Sequence, residues 1–503
     1  MSQEYDTVFV GAGLGALASA SLMAQRGQKV LVVEKHNVPG GYASNFRRKD
    51  FNFDVSLHSF DGVVRGAESF NVIEACGVAD KVEFLHHPTL YRYRYRSHDI
   101  DITVGHRDLE GYKRELFRFF PEEVDNINRL FAESRRNYKD LCGFLYSRKP
   151  FWMRLVATPM IYPRVLKYGH ETVDHYFSRF TSNERLKEVL SAQWSYYGLP
   201  AKDLAFGYFS YPFIDYLENG GYSIKGGSQA LSNALVEVIE QHGGRVELES
   251  AVNRIVIERG RIGGVVTRKS GRVKARNVVA NISPHAVVAL AGEQHFDARY
   301  RSRLRRLKLS VSGFQVYLGL DCPLSELGVG PEEYIHFFAP QKTQREQFEH
   351  IQAGELHGDN TSWSINYFSN VDASMVPAGK SSLGLFTLTG ASEWHSLGKL
   401  DYRRKKLELT ELLIANAERV IPGLSRHIEV CESGSPRTMT KFTHNPEGAI
   451  YGFEQNTRQS GLFNRFPQKY PVKGLYQVGA WTFPGAGFIG TMLSARLLVD
   501  RYF

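Results

Sequence analysis

The sequence predicts an α/β fold, and three observations support that prediction. A short apolar strand runs directly into a glycine-rich turn and a helix near the N-terminus. A second glycine-rich turn precedes another predicted helix close to the C-terminus. The chain has 503 residues, more than one hydrophobic core usually holds, so at least two cores are expected.

The N-terminal motif has the order strand, glycine turn, helix that is typical of dinucleotide binding. After an apolar strand at residues 7–10, the turn supplies five predicted cofactor-binding residues, Gly11, Gly13, Leu14, Gly15 and Ala16. The first glycine can take the dihedral angles of the turn, the second lets a pyrophosphate approach the backbone, and the alanine lets the helix pass close to the strand. The amides at the helix N-terminus then favour phosphate charge. We therefore predict that this turn binds a dinucleotide.

An acidic residue at the end of the second predicted strand narrows the choice of cofactor. The apolar strand at residues 29–33 is followed by Glu34, about 20 residues after the glycines, and by Lys35, which we include in the predicted site. The Glu34 carboxylate can accept hydrogen bonds from both ribose hydroxyls of an adenosine, and it repels a 2′-phosphate. The motif therefore disfavours NADP and leaves FAD or NAD.

Two further glycine segments favour FAD over NAD. Gly40 and Gly41, followed by Tyr42, form a Gly-Gly pair that FAD proteins of the glutathione-reductase class place close to the cofactor. Near the C-terminus, a predicted strand at 475–479 leads into a turn and a helix that starts at about residue 488. The positive end of that helix can stabilise the negative charge of reduced flavin. The predicted contacts there are Gly479, Pro484, Gly485, Gly487, Phe488 and Ile489.

The middle of the chain is predicted to return to the nucleotide-binding domain. A helix at 229–242 precedes predicted strands at 245–249, 252–258, 261–267 and 278–280, and Val252 is placed where backbone groups would meet the adenine. We therefore predict a Rossmann-like FAD-binding domain of the glutathione-reductase class, built from residues 1–70, 218–300 and 430–503. An inserted α+β substrate domain takes residues 71–217 and 301–429.

Several segments, in the order found here, resemble the phytoene desaturase superfamily, which includes carotenoid desaturases, carotenoid cis-trans isomerases and retinol saturases. They are the N-terminal glycine turn, residues 226–231 (GGSQAL), residues 448–452 (GAIYG) and the C-terminal segment 474–487. Residues 435–438 are similar to the threonine-containing version found in isomerases and saturases. His58 follows Asp54 by four residues, as in retinol saturases, whereas carotenoid desaturases usually carry a glycine where this chain has Ser56.

The resemblance implies an FAD-dependent oxidoreductase that acts on the conjugated C=C bonds of a lipophilic polyene such as a carotenoid or retinoid. We favour reduction over desaturation or isomerisation because of the segment that contains His58. Saturating a double bond requires a hydride at one carbon and a proton at its neighbour, and His58 and Tyr451 are the candidate catalytic residues. Each has an alternative interpretation as a packing residue, and Asp54 has one as the stabiliser of its own turn.

Two other functions stay open at this stage. The first is an amine or protoporphyrinogen oxidase on the same fold, although those enzymes usually carry an arginine where this chain has Tyr42. The second is a non-catalytic prenyl-lipid carrier, as in the Rab GDP-dissociation inhibitors. The intact glycine turns disfavour a carrier, because a carrier need not preserve a flavin site.

One segment suggests contact with a membrane surface. Residues 144–168 interleave aromatic, aliphatic and basic side chains. Such a segment can lie in the headgroup plane of an anionic bilayer, which suits a substrate dissolved in lipid. An amphipathic helix that covers the substrate domain is an equal alternative. Aromatic residues between 194 and 213 are predicted either to line an apolar tunnel or to pack in a core.

Composition and hydropathy argue against several other classes of protein. We expect no signal peptide, and no apolar run is long enough to span a bilayer. The four cysteines, Cys76, Cys142, Cys322 and Cys431, are far apart, which gives no thiolate metal site and fits a cytoplasmic protein with a peripheral membrane contact. The net charge of +9 includes a basic run at 301–308, which we predict to be a solvated helix face. No nucleic-acid-binding motif is present, and the sequence leaves the oligomeric state open.

Overall fold

The structure is a computed structural model that describes residues 4–95, 99–147, 149–356, 361–461 and 464–503. Its strands, numbered in chain order, are β1 (Glu4–Val10), β2 (Val30–Val33), β3 (Asn45–Arg48), β4 (Phe51–Asp54), β5 (Phe60–Asp61), β6 (Phe84–His86), β7 (Thr89–Tyr95), β8 (Ile100–Gly105), β9 (Gly221–Ile224), β10 (Arg245–Glu247), β11 (Val252–Glu258), β12 (Arg261–Thr267), β13 (Gly271–Ala280), β14 (Ser312–Leu320), β15 (Ile335–Ala339), β16 (Trp363–Asn366), β17 (Ser381–Thr389), β18 (Ile428–Gly434) and β19 (Leu475–Gln477).

The helices, also in chain order, are α1 (Leu14–Gln25), α2 (Phe70–Ala75), α3 (Leu109–Phe119), α4 (Val124–Leu145), α5 (Phe151–Ile161), α6 (Pro163–Tyr168), α7 (Val173–Phe177), α8 (Glu184–Leu190), α9 (Phe206–Asn219), α10 (Ser228–Gln241), α11 (Pro284–Ala291), α12 (Ala298–Arg306), α13 (Gln344–Ala353), α14 (Phe368–Val371), α15 (Ser392–Ser396), α16 (Lys399–Glu418), α17 (Pro436–Thr443) and α18 (Phe488–Tyr502). No helix in the described residues is long and apolar enough to cross a bilayer.

The first seven-stranded sheet draws its strands from three separated parts of the chain. Its order is β10-β2-β1-β13-β12-β11, and β19 pairs with β13. Strands β10, β2, β1, β13 and β19 are mutually parallel, so their carboxyl ends meet at one edge. In α/β sheets the ligand site lies outside the carboxyl ends of parallel strands. This edge is therefore where a cofactor is expected.

Helix α1 packs between the sheet and two other helices. It contacts α10 and α18, and its residues from Leu14 to Ala24 are all buried. Small Ala, Gly and Ser side chains dominate its sequence, which allows the helix to approach its neighbours closely. The N-terminal and C-terminal parts of the chain are therefore joined in one hydrophobic core.

The second seven-stranded sheet has the order β18-β14-β17-β16-β15-β7-β8 and is antiparallel except where β15 pairs with β7. Every residue of β14, β17, β16 and β15 is buried, and these four strands lie inside the sheet, away from its edge strands β18 and β8. The fold is thus mixed α/β, as expected. The domain boundaries at residues 70, 218, 300 and 430 stay a prediction.

A helical layer, from α3 to α9, lies between β8 and β9 in the chain. Aromatic stacking joins its helices: the ring centroids of Tyr176 in α7 and Phe206 in α9 are 3.7 Å apart, and those of Phe131 in α4 and Phe213 in α9 are 5.7 Å apart. The layer contributes α9 and the end of α4 to the cavity described below.

One of two further predictions differs from the structure, and the other agrees with it. The strand expected at 278–280 is the end of the longer β13, because its first residues pair antiparallel with β12. The basic run at 301–308 lies mainly on α12, where Leu304 is buried and Arg303, Arg305 and Arg306 are exposed. The run is a solvated helix face.

Candidate active site

The predicted glycine residues come together at the carboxyl edge of the first sheet. Gly11 follows β1 with φ of 88°, a conformation that favours glycine. The backbone N of Gly40 donates to Ala12 O at 2.8 Å, which joins the Gly-Gly pair to this turn. A β-carbon on Gly15 would lie 2.9 Å from Cα of Gly479. The first turn, the Gly-Gly pair and the end of β19 therefore form one cluster.

Asn281 fixes this cluster, although sequence reasoning missed it. Its Oδ1 accepts a hydrogen bond from the Ala16 backbone N at 3.1 Å, and its Nδ2 donates to Val478 O at 3.2 Å. The residue directly follows β13, so it lies at the same sheet edge as the glycines. A polar residue directly after a predicted parallel strand is the sequence feature that could have identified Asn281.

Glu34 lies where the sequence predicted a ribose-binding acid. Its buried carboxylate accepts hydrogen bonds from the Ala12 backbone N at 2.8 Å and the His36 backbone N at 2.9 Å. Each carboxylate oxygen keeps a second lone pair, so the group can still accept from ribose hydroxyls. The Ser250 backbone N donates a hydrogen bond to the Glu34 backbone O at 2.8 Å. Strand β11 starts two residues later, at Val252, so this bond ties the start of β11 to Glu34.

Lys35 and Tyr42 lie on the side of the cluster that faces α17. The Lys35 ammonium donates to Lys441 O at 3.3 Å, and burial lowers the pKa of Lys35 to about 8. Burial raises the pKa of the Tyr42 hydroxyl to about 12, while Tyr42 O accepts from Ser56 Oγ at 3.0 Å. The Lys35 side chain is thus held by the backbone of α17, whereas the Tyr42 hydrogen bond is made by its backbone carbonyl.

The C-terminal turn carries a buried cation that the sequence did not reveal. Arg465 donates to Thr482 O at 3.0 Å and to Ser460 Oγ at 2.7 Å, and a β-carbon on Gly485 would collide with its guanidinium. Within the described ranges no carboxylate pairs with Arg465. Burial lowers its pKa to about 10, so it stays charged at neutral pH. A positive charge therefore lies beside the turn expected to face the flavin.

These groups fit the parts of an FAD molecule. A β-carbon on Gly13 would lie 2.5 Å from Asn281 Oδ1, so the glycines allow the turn to pack closely against the end of β13. The backbone amides at the start of α1 would bind a pyrophosphate, and Glu34 offers acceptors for a ribose. At the C-terminal turn, the start of α18 and Arg465 supply positive electrostatic potential for a reduced flavin.

An apolar cavity of about 200 Å³ adjoins the C-terminal turn. Pro484, Ala486, Gly487 and Ile489 form one wall of it. The remaining lining is rich in tyrosine, namely Tyr146, Tyr196, Tyr197, Tyr208, Tyr211, Tyr216 and Tyr451, and Asp61 is the one carboxyl among the described lining residues. Such a cavity suits an apolar ligand with few polar groups.

The aromatic residues between 194 and 213 divide between the two predicted roles. Tyr196, Tyr197, Tyr208 and Tyr211 line the cavity, whereas the phenylalanines Phe206, Phe209 and Phe213 are buried in the core. Tyr208 joins the cavity lining to the C-terminal turn. Its hydroxyl donates to Ala486 O at 3.1 Å, and the Arg465 guanidinium carbon lies 5.2 Å from its ring centroid.

His58 lies behind the lining of the cavity. Its Nδ1 is 3.1 Å from the hydroxyl of Tyr196, which does line the cavity. Burial lowers the pKa of His58 to about 4, so the imidazole is neutral near pH 7. The backbone O of His58 accepts from the Tyr334 hydroxyl at 2.6 Å.

Tyr451 reaches the cavity, and Asp54 does not. The Tyr451 hydroxyl donates to Ser195 O at 3.0 Å, and burial raises its pKa well above 10.0. Asp54 accepts from the backbone N of Leu57 at 2.8 Å and from the backbone N of Ser228 at 2.6 Å. Asp54 therefore stabilises its own turn and ties it to the start of α10.

Comparison with known families gives one match over most of the chain. The family described as flavin containing amine oxidoreductase matches residues 17–501.

Three curated relatives cover almost the whole chain. A zeta-carotene-forming phytoene desaturase from Myxococcus xanthus is 28% identical over 98% of this chain and 93% of its own length. A chloroplastic prolycopene isomerase from Daucus carota is 22% identical over 99% of this chain and 80% of its own. An all-trans-retinol 13,14-reductase from Danio rerio is 25% identical over 98% and 85%, respectively.

Solved structures share the fold. An oxidoreductase from Methanosarcina mazei superposes with a TM-score of 0.66 at 17% identity and covers 98% of this chain and 99% of its own. A putrescine oxidase bound to putrescine superposes with a TM-score of 0.63 at 14% identity and covers 99% of each chain.

Proposed function

Because the chain belongs to the flavin-containing amine oxidoreductase family, and within it to the phytoene desaturase superfamily, we propose that it acts on the conjugated C=C bonds of a lipophilic polyene. It is an oxidoreductase, and its cofactor is FAD. The observation that carries the proposal is the tyrosine-lined apolar cavity beside the C-terminal glycine turn. A long apolar substrate can lie there against the expected position of the flavin.

We also propose the finer assignment to the glutathione-reductase class, with the discontinuous domain division predicted above. The parallel order β10-β2-β1-β13-β19 and the glycine cluster at its carboxyl edge support it. The second seven-stranded sheet and the layer from α3 to α9 would then form the substrate domain.

We propose reduction of the polyene as the direction of the reaction. The support is the segment from Asp54 to His58 and the 25% identity with a retinol reductase. Other relatives are named as desaturases and isomerases, so direction is the first property to measure.

His58 and Tyr451 stay predicted participants. The Tyr451 ring lines the cavity and its hydroxyl is engaged by Ser195 O, which suits a role in positioning the substrate. His58 would affect a substrate in the cavity only indirectly, through its hydrogen bond with the Tyr196 hydroxyl. Replacing His58 by alanine is expected to change the KM for the polyene more than the binding of FAD.

Helix α5 supports a peripheral membrane contact. It exposes Trp152, Met153, Val156, Met160 and Ile161, with exposed fractions of 65%, 39%, 74%, 88% and 51%. Arg154 and Thr158 on its other face are buried, so the helix presents an apolar stripe outward.

The charge around α5 supports an anionic bilayer as the partner. Residues 141–170 contain five basic residues and no acidic one. Of these, Lys149 and Lys167 are exposed, whereas Arg154 is buried and Arg164 pairs with Glu133 and Asp140. Apolar rings inserted between headgroups, with cations at the rim, are typical of interfacial helices. Phe144, Leu145 and Val165 of the same segment line the cavity, so docking would bring the cavity close to a lipid-dissolved substrate.

The test of the function uses the FAD-loaded protein and polyenes presented in liposomes. The flavin is reduced chemically without oxygen, all-trans carotenoids, retinoids and polyenoic acids are added one at a time, and products are measured by mass and by double-bond count. Loss of one double bond, with oxidation of the flavin, is the expected result. Oxidation of a more saturated precursor by the oxidised protein would reverse the proposed direction.

Two controls separate the rival functions. Release of hydrogen peroxide with amines would identify an amine oxidase. A wild-type protein that stays colourless after FAD is added, yet binds prenyl lipids, would instead identify a carrier.

The role of Glu34 in cofactor binding has its own test. A Glu34→Gln variant should bind FAD about tenfold more weakly, since a charged acceptor is lost.

A further inference from the structure

Asp61 brings a carboxyl group into the otherwise apolar cavity. It ends β5, whose pairing with β9 sets Asp61 opposite Gly221. Its side chain lines the cavity together with Tyr197, Tyr208 and Tyr216. Because an isolated carboxyl group in apolar surroundings is costly, its presence requires an explanation.

A second carboxyl group, Asp215 of α9, lies directly behind Asp61. Asp215 is fully buried, and its Oδ1 accepts hydrogen bonds from the Tyr138 hydroxyl and, at 2.8 Å, from Asn219 Nδ2. In the described structure its Oδ2 has no hydrogen-bond partner, and a β-carbon on Gly62 would lie 2.6 Å from it. The second oxygen of Asp215 is therefore directed at the backbone next to Asp61.

The surroundings of the pair hold a proton near neutral pH. Burial and the charge of Asp215 raise the pKa of Asp61 to about 7, and burial raises that of Asp215 to about 6. No Lys or Arg among the described residues forms an ion pair with either group. Burial, with a smaller contribution from the charge of Asp61, raises the pKa of five nearby tyrosine hydroxyls, those of Tyr146, Tyr197, Tyr208, Tyr211 and Tyr216.

We propose that Asp61 transfers the proton of the C=C reaction in this cavity and that Asp215 is its positioning residue. This inference rests on the proposed function. In a reduction, the Asp61 carboxylic acid gives its proton to one alkene carbon, the neighbouring carbon takes a hydride, and two C–H bonds replace the π bond. Reduced FAD, which the glycine turns and Glu34 would hold, would supply that hydride and would be oxidised. The Asp61 carboxylate that remains is protonated again from water, and in a desaturation it accepts the proton instead.

Asp61 suits this role better than the two residues predicted from the sequence. The Tyr451 proton is already donated to Ser195 O, and His58 is a neutral imidazole behind Tyr196. A general acid works best when its pKa is close to the working pH, which is the condition of Asp61.

The kinetic test compares three variants of the FAD-loaded protein. Asp61→Asn keeps the shape of the side chain but cannot release a proton, and its turnover should fall about 100-fold or more. Asp215→Asn should shift the pH profile of turnover to lower pH and so reduce turnover near neutral pH, because burial alone, without the charge of Asp215, then raises the pKa of Asp61. Asp50→Asn, whose side chain is 77% exposed, is the matched control and should behave like the wild type.

A second readout does not depend on turnover. Infrared spectroscopy of the wild-type protein should show a protonated carboxyl band that disappears as the pH rises through about 7. The band should be absent from Asp61→Asn and should disappear at lower pH in Asp215→Asn. The visible spectrum of bound FAD shows that each variant is folded.

The outcomes separate this proposal from the proposed function. Asp61→Asn with turnover within about twofold of the wild type would overturn the role of Asp61 and leave the function intact. A wild-type protein that changes no polyene would overturn the proposed function and, with it, the catalytic role of Asp61, whatever the infrared titration shows. The absence of any carboxyl band that titrates near neutral pH would overturn the Asp61 proposal.

Discussion

Arg465 is a buried cation whose charge has no acidic partner among the described residues. Its hydrogen bonds to Thr482 O and Ser460 Oγ hold it beside the turn that contains Gly485. A fixed positive charge next to a flavin stabilises the reduced, negatively charged form more than the oxidised form. Arg465 should therefore raise the reduction potential of the bound FAD.

Replacing this charge tests the role directly. Arg465→Gln should make the reduction potential of FAD more negative and weaken FAD binding about tenfold, the effect expected on losing one charged hydrogen bond. The potential is measured by anaerobic titration against a redox dye, and FAD affinity by fluorescence. Arg458→Gln, at an exposed position nearby in the chain, is the control. An unchanged potential in Arg465→Gln would exclude an electrostatic role.

Some residues of the site could be predicted from the sequence, and others could not. Gly11, Gly15 and Glu34 follow a motif with fixed spacing, because the turn and the strand that follows it set their positions. Arg465 and Asp61 follow no such spacing. Their importance arises from burial and from neighbours that are distant in the chain, and neither property can be read from a single sequence.

At the scale of elements, strongly periodic or glycine-flanked segments were predictable. The helices α10 and α18 and the strands β11 and β12 lie within a few residues of their predicted positions. The segment 144–168 was less clear, because its residues serve two surfaces. The structure divides it into the end of α4, then α5 and α6, with one side at the cavity and α5 exposed.

The exposed face of α5 gives a prediction about membrane binding. Burying a Trp or Met side chain in a lipid interface is worth about 1.5–3 kcal/mol, so Trp152→Glu and Met160→Glu should each weaken binding to anionic liposomes by about tenfold or more. Cosedimentation with liposomes of phosphatidylcholine and phosphatidylglycerol measures the binding.

A matched control uses another exposed apolar residue. Leu400 of α16 is 78% exposed and lies outside the segment 141–170, so Leu400→Glu should bind liposomes like the wild type. Equal losses in all three variants would indicate nonspecific adsorption. No loss in the α5 variants would exclude this helix as the docking element.

At the scale of the whole molecule, glycine turns near both chain ends indicated that distant parts of the chain share one sheet. The structure places β1, β13 and β19 side by side. The second sheet was not predicted in detail, because its buried strands carry no motif and their pairing partners are far apart in the sequence. Its strands β7 and β15, for example, are separated by more than 200 residues.

The carboxyl pair in the cavity links the function to the stability of the whole molecule. The pKa of Asp61 is raised from 3.8 to about 7 and that of Asp215 to about 6. Between about pH 4 and pH 7 the folded protein therefore holds protons that the unfolded chain has lost. The free energy of unfolding must then fall as the pH rises through this window, and the stabilisation of the protonated pair is complete only below it.

Asp61→Asn removes part of this dependence, because an amide does not ionise. We expect the melting temperature of Asp61→Asn, relative to wild type, to increase by about 1–3 °C between pH 5 and pH 8. Groups outside the carboxyl pair titrate equally in both proteins, so only the difference between their melting curves is informative, and Asp50→Asn should show none. A constant difference across this range would mean that Asp61 ionises alike in the folded and unfolded states, and the cavity would then not hold a proton for catalysis near neutral pH.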